Sequence, residues 1–161
     1  MPTGPAARVG DVTAHGSPLG PGPGSTNVII GGKPAWRGIS AAQAAQLVQA
    51  ATQAISNIAQ ATALDAAAAG TPGAAAAKAN LINTAVSAVS GLASLMSGFG
   101  SDTHACPIVK VVVPDGTGMV ITGSQTVLIN GLPACRAGDT IQEATSASAV
   151  GMGLPTVIIG G

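Results

Sequence analysis

Three short β-branched runs, each closed by glycine, recur along the chain: Asn27-Val28-Ile29-Ile30-Gly31-Gly32, Thr126-Val127-Leu128-Ile129-Asn130-Gly131 and Thr156-Val157-Ile158-Ile159-Gly160-Gly161. Each predicts a strand that runs into a turn. Between the first two the pattern changes period. Leu47, Ala51, Ile55 and Ile58 recur at spacings of four, four and three, with Gln46, Gln49, Gln53 and Asn57 between them. That spacing predicts an amphipathic helix with an uncharged polar face. Ser40-Ala41-Ala42-Gln43 has the serine and glutamine of a capping box, so the helix is expected to begin there. Gly70-Thr71-Pro72-Gly73 stops it. A second helix is expected from about Ala75, with Ile82, Ala85, Val89, Leu92 and Met96 on its apolar side, ending at Gly98-Phe99-Gly100. The two read as an alanine-rich antiparallel hairpin whose helices can approach closely.

A tetrapeptide accompanies the strands and is also written three times, as Pro5-Ala6-Ala7-Arg8, Pro34-Ala35-Trp36-Arg37 and Pro133-Ala134-Cys135-Arg136. Gly10-Asp11 and Gly138-Asp139 follow the first and third copies. The first two copies begin 29 residues apart and the next two 99 apart, while the last two strands are 30 apart. A segment of roughly seventy residues has therefore been let into the second unit. Copied units of this length cannot bury an apolar face alone and need their neighbours, which points to a quasi-symmetric, architectural object. The Gly-Asp pairs fit turns in which aspartate satisfies local backbone donors, and Arg8, Arg37 and Arg136 fit a structural role, bonding carbonyls or those aspartates at the unit junctions.

The three tetrapeptides, the Gly-Asp that follows and the strand ending in Gly-Gly or Asn-Gly resemble the PAAR-repeat family, over about residues 1–38 and 100–161. The resemblance implies a mainly β fold with an α insertion: a PAAR-type conical arrangement of short β-hairpin repeats, discontinuous in sequence, plus the antiparallel helical hairpin at 39–99. It also implies a non-enzymatic role. Such cones cap and sharpen the trimeric spike, a valine-glycine repeat protein, of type VI secretion systems and related contractile injection machines, and they help carry effectors.

Composition narrows the alternatives. At 161 residues the chain is expected to form one domain, because the repeats are too short to hold separate cores. Six basic and six acidic residues leave no net charge, and one Trp and one Phe offer no stacking platform, so a nucleic-acid partner is not expected. No signal peptide is legible at the start. The expectation is synthesis in the cytoplasm and export on the injection apparatus, to the outside or into a target cell. Only Asp65 and Lys78 are charged between Ser40 and Phe99. The hairpin is expected to pack on the β core; a sharper reading docks its apolar side on an effector, a chaperone, the spike or a membrane. Polar residues interrupt its apolar runs short of the roughly 18 residues of a spanning helix, so no stable membrane span is expected.

The remaining chemistry is metal binding. The chain holds two histidines, His15 and His104, and two cysteines, Cys106 and Cys135, the donor count of a closed zinc site. His15 lies four residues after Asp11 and Cys106 four after Asp102, so one repeat loop offers a donor in two copies, and His104 shares the turn of Cys106. The resemblance implies one structural zinc at the pointed end, held by His and Cys from these loops, which carries the role to His15, His104 and Cys106. Three residues compete for the fourth place. Repeat register nominates Glu143, four residues after Asp139 and where many relatives have Cys. Donor chemistry nominates Cys135, although the Trp at the equivalent position suggests a peripheral place. Asp115, in the Pro114-Asp115-Gly116 turn, is the third, since some relatives carry His nearby. Cys135 is preferred, because the usual donors are missing at the other two places. A Cys106–Cys135 disulfide is the competing use of the thiols, disfavoured in a reducing compartment.

No phosphate-binding glycine loop and no nucleophile elbow occur. Two further readings stay open beside the spike tip: an effector-binding adaptor that never attaches to a spike, and a small zinc hydrolase using three protein donors and water.

Overall fold

The computed structural model describes residues 2–161. The first two apolar runs form hairpins, in which β2 (Ile29–Ile30) pairs with β3 (Lys33–Pro34) and β6 (Leu128–Ile129) pairs with β7 (Leu132–Pro133). Their turn residues have φ of 55° and 79° at Gly31 and Gly32, and 54° and 78° at Asn130 and Gly131. Two successive left-handed residues define the type I′ turn, which Gly and Asn enter at least cost. The third run lies in β10 (Leu154–Ile159), antiparallel to β1 (Gly4–Ala6).

Backbone bridges join the tetrapeptides in a closed cycle: Arg8 with Ala35, Arg37 with Ala134, and Arg136 with Ala6. A second ring runs beside it. The Ala7 amide donates to the Cys135 carbonyl at 2.9 Å, the Trp36 amide to Ala7 at 2.9 Å, and the Cys135 amide to Trp36 at 3.1 Å. Each unit thus satisfies its backbone from the next, which explains why no single copy could fold alone. Around the rings the core is layered. Ala6, Ala35 and Ala134 pack with Ile129 and Ile159 and the half-buried Val28 and Ile30. Ala7, Trp36 and Cys135 form the next layer with Leu19, Val120, Ile141 and Val150.

A four-stranded antiparallel sheet adjoins these layers, in the order β4 (His104–Lys110), β5 (Val113–Val120), β8 (Thr140–Gln142), β9 (Ala147–Ala149). The β4–β5 hairpin after Asp102 is a lengthened counterpart of the β8–β9 hairpin after Asp139 and of the short Val12–Pro18 bridge after Asp11.

The inserted segment forms α1 (Ala41–Ala68) and α2 (Ala74–Ser97), with Ser40 and Gln43 completing the expected capping box. The buried stripes differ from the expected ones by one residue in each helix. Ile55 and Ile82 are exposed, whereas α1 buries Ala44, Leu47, Ala51, Ala54, Ile58 and Ala61, and α2 buries Leu81, Ala85, Leu92 and Met96. Alanine at the contact lets the helices approach closely, and adjacent residues lie about 100° apart round a helix with 3.6 residues per turn, so choosing Ala54 for the seam turns Ile55 outward. Leu47, Ala51, Leu92 and Met96 share a core with Ile39, Met119 and Ala144, and Val112 and Val113 pack against the Ile58–Leu81 end. The hairpin therefore lies against the β structure. By length and composition alone α2 is also apolar enough to cross a membrane. The result is a β fold with a helical insertion.

Candidate metal centre

Three Arg–Asp pairs sit at equivalent positions of the units, and the donors lie just beyond them. Arg8 meets Asp11 at 2.9 Å, Arg37 meets Asp102 at 2.8 Å and Arg136 meets Asp139 at 2.9 Å. Each aspartate also accepts the backbone amide of its arginine, which fixes the start of the following segment. Four residues further on stand His15 in a loop, Cys106 on β4 and Glu143 immediately after β8. His15 is drawn in by the amide of Ala14, which donates to Ala149 at 2.8 Å. Cys106 is placed by the amide of Ala105, which donates to Gly20 at 2.8 Å.

The donor atoms of His15, Cys106 and Glu143 all lie within 4.8 Å of one another. His15 Nδ1 is 3.9 Å from Cys106 Sγ and 3.3 Å from Glu143 Oε2. Donors on one tetrahedral zinc, with bonds of about 2.0–2.3 Å, stand roughly 3.3–3.8 Å apart. The separations lie close to that range, and the group could hold a metal ion.

His104, two residues before Cys106, is buried and reaches Glu143 from the other side, with Nε2 at 3.1 Å from Oε1. Among the described residues its Nδ1 has no hydrogen-bond partner. Burial alone would raise the Glu143 pKa, but hydrogen bonding to His104, and then to Asp115 and Ser146, outweighs it and lowers the value to about 2. The carboxylate is therefore ionised at neutral pH, as a metal ligand must be. Burial pushes the Cys106 thiol up. Gly118 sits beneath the pair: a Cβ there would lie 2.7 Å from His104 Nε2 and 2.9 Å from Glu143 Cγ. Only glycine leaves room for the imidazole–carboxylate contact.

The structure separates the four sequence candidates. His15 and Cys106 share the cluster and His104 adjoins it. Cys135 does not belong to it: its Sγ lies in the Trp36 layer, 3.9 Å from the carbonyl of Pro133, and burial holds its thiol well above the ordinary pKa. The hydrogen-bond ring through Trp36 and Ala7 puts Cys135 at the centre of the repeats, not at their periphery. Glu143 takes the third equivalent position instead, the one that repeat register nominated. Donor chemistry favours Cys135, whereas the geometry groups Glu143 with His15 and Cys106. Asp115 supports the site from behind, accepting from the Thr145 amide, Thr145 Oγ1 and Ser146 Oγ. Both cysteines are free thiols.

No family model, curated protein or solved structure matches this chain.

Proposed function

We propose that this chain is a non-enzymatic tip of the PAAR-repeat type, which caps the trimeric spike of a type VI or related contractile injection system and helps recruit effector cargo. The observation that carries the reading is a set of three apolar side chains at one repeat position. Ile29, Leu128 and Ile158 are exposed to 56%, 58% and 59%, respectively, although each is followed by a residue packed in or against the core, Ile30, Ile129 or Ile159. Exposed apolar side chains grouped by a repeat mark an interaction surface, and a threefold repeat is the natural match for a partner with threefold symmetry.

The donor cluster supports the same reading from the opposite side of the repeats. Imidazole, thiolate and carboxylate form a set that zinc accepts. His15, Cys106 and Glu143 would hold one zinc, whose bonds tie the loops of all three units together and add metal-binding energy to folding. Such an ion is structural, and the conical narrowing expected of the family would end at this cluster. The β core then engages the spike, while the helical hairpin, with its nearly uncharged surface, offers the site for an effector or chaperone. Delivery would carry the chain out of the cytoplasm on the apparatus.

The test is reconstitution with the purified trimeric spike. One chain should bind per trimer, and Leu128→Glu should abolish binding while leaving the circular dichroism spectrum unchanged. Deleting residues 41–97 should spare spike binding and remove a second, cargo partner. A wild-type chain that ignores every spike trimer of its own cell would end the proposal, and retained binding by Leu128→Glu would end the assignment of this face.

A further inference from the structure

We propose that the metal centre keeps one coordination position for an external donor, reached from the cavity beside β4. The proposal rests on the metal-binding reading above and goes beyond it, because a purely structural site would close all four positions.

Three protein donors are gathered, and the remaining candidates lie outside their mutually close set. Cys135 is in the Trp36 layer. His104 Nε2 faces the far oxygen of Glu143, Oε1, rather than joining the mutually close set. Asp115 spends both oxygens on Thr145 and Ser146. His104 is thus a positioning residue, which holds the Glu143 carboxylate from behind as outer-sphere partners do.

On the other side the site opens. A cavity of about 640 Å³ has His15 and Cys106 in its wall, together with Pro18, Ala105, Pro107 and Ile108. His15 keeps 22% of its side chain exposed, whereas Glu143 is fully buried, so access is along the imidazole. Apart from the donor residues themselves, nothing charged lines this cavity. It therefore suits a ligand with one neutral or soft donor atom, an imidazole or a thiol, carried on an apolar body. An anion with a hydrated body would gain nothing from these walls.

The experiment uses the full chain with cobalt(II) in place of zinc, followed by visible absorption. A thiolate-to-cobalt charge-transfer band reports binding at Cys106, and the ligand-field bands report the number and type of donors. Imidazole and N-butylimidazole are the probes. Both should change the ligand-field bands saturably while the charge-transfer band persists, with half-saturation about tenfold lower for the butyl compound because its tail is buried. His104→Gln should bind cobalt more weakly but, at saturating cobalt, still show the charge-transfer band and the response to the probes. A cobalt-loaded protein that neither probe perturbs would overturn the proposal. So would a response seen only in His104→Gln, which would make His104 the fourth ligand, or equal half-saturation of the two probes, which would refute the ligand class. Loss of the charge-transfer band on adding a probe would mean that the ion is extracted, and counts against it as well. Failure to take up cobalt at all would remove the metal reading itself, while spike binding is read separately.

Discussion

The three equivalent Arg–Asp pairs differ in burial, which makes them an internal experiment on what a buried ion pair contributes. Arg136 is the extreme case. Its side chain is 3% exposed, and besides Asp139 it donates to the carbonyls of Pro2, Gly161 and Thr122. Replacing it by methionine keeps most of the stem but strands a buried carboxylate and three carbonyls. Breaking a buried pair from one side costs about 3–5 kcal/mol. Arg8 makes the same pair at 14% exposure, and Asp11 keeps a second cation, Lys33, at 3.8 Å. Arg8→Met should therefore cost only about 1 kcal/mol. Arg37 falls between them, at 13% exposure but with a fully buried Asp102 and a bond to the Gly24 carbonyl, at roughly 2–3 kcal/mol. For a chain of this size 1 kcal/mol moves Tm by about 2–4 °C, so Arg136→Met should lose about 6–20 °C and Arg8→Met about 2–4 °C. Urea denaturation of metal-loaded protein gives the same ranking through its midpoints. If Arg8→Met lost as much stability as Arg136→Met, burial would not govern these junctions and the reasoning would fail.

Metal content measured after gel filtration should fall well below one ion per chain in His15→Ala, Cys106→Ser and Glu143→Gln, yet be unchanged in Cys135→Ala. Gly118→Ala should weaken zinc binding about 10–100-fold in a competition with a chromogenic chelator, because its Cβ would displace the His104–Glu143 contact. Ser40→Ala removes the side chain that accepts the Gln43 amide and should cost about 1 kcal/mol, without altering metal content.

The skeleton of the fold was legible because it is written in turns and repeats. Asn130-Gly131 and Gly31-Gly32 announce hairpins through φ values that few other residues adopt, and the Ser40–Gln43 box marks the start of a helix to the residue. Helix phase was less legible. Ile55 and Ile82 are the obvious apolar choices, but close packing selects Ala54 and Leu81, and hydrophobicity alone cannot rank alanine above isoleucine. The length of the β4–β5 hairpin was hidden because its counterparts, β8–β9 and the Val12–Pro18 bridge, are much shorter. In the donor cluster, His15 and Cys106 were found by their spacing from an aspartate, and the same rule pointed to Glu143. Ligand softness favours Cys135, but spacing reports geometry, and it is the residue chosen by spacing that lies beside His15 and Cys106.

Cys135 is explained by packing once the metal is taken from it. Ala7, Trp36 and Cys135 hold one another in a backbone ring, so their side chains share a single enclosed layer with Leu19, Val120, Ile141 and Val150. Three identical large residues could not fit at a quasi-threefold centre, and three alanines would leave a void. One indole with two small partners fills the space, and fixed packing density demands such an unequal set. The small partners must then stay small. Gly38 makes the same point, since a Cβ there would lie 2.8 Å from the Val120 carbonyl and 3.3 Å from Cys135 Sγ. On this account the variation among the tetrapeptides is compensatory. Trp36→Ala should cost about 3–5 kcal/mol by opening a cavity, and Cys135→Leu in that background should restore part of the loss, although Cys135→Leu alone would overpack the layer and destabilise it. If the double variant were no more stable than Trp36→Ala, the two side chains would not share one volume.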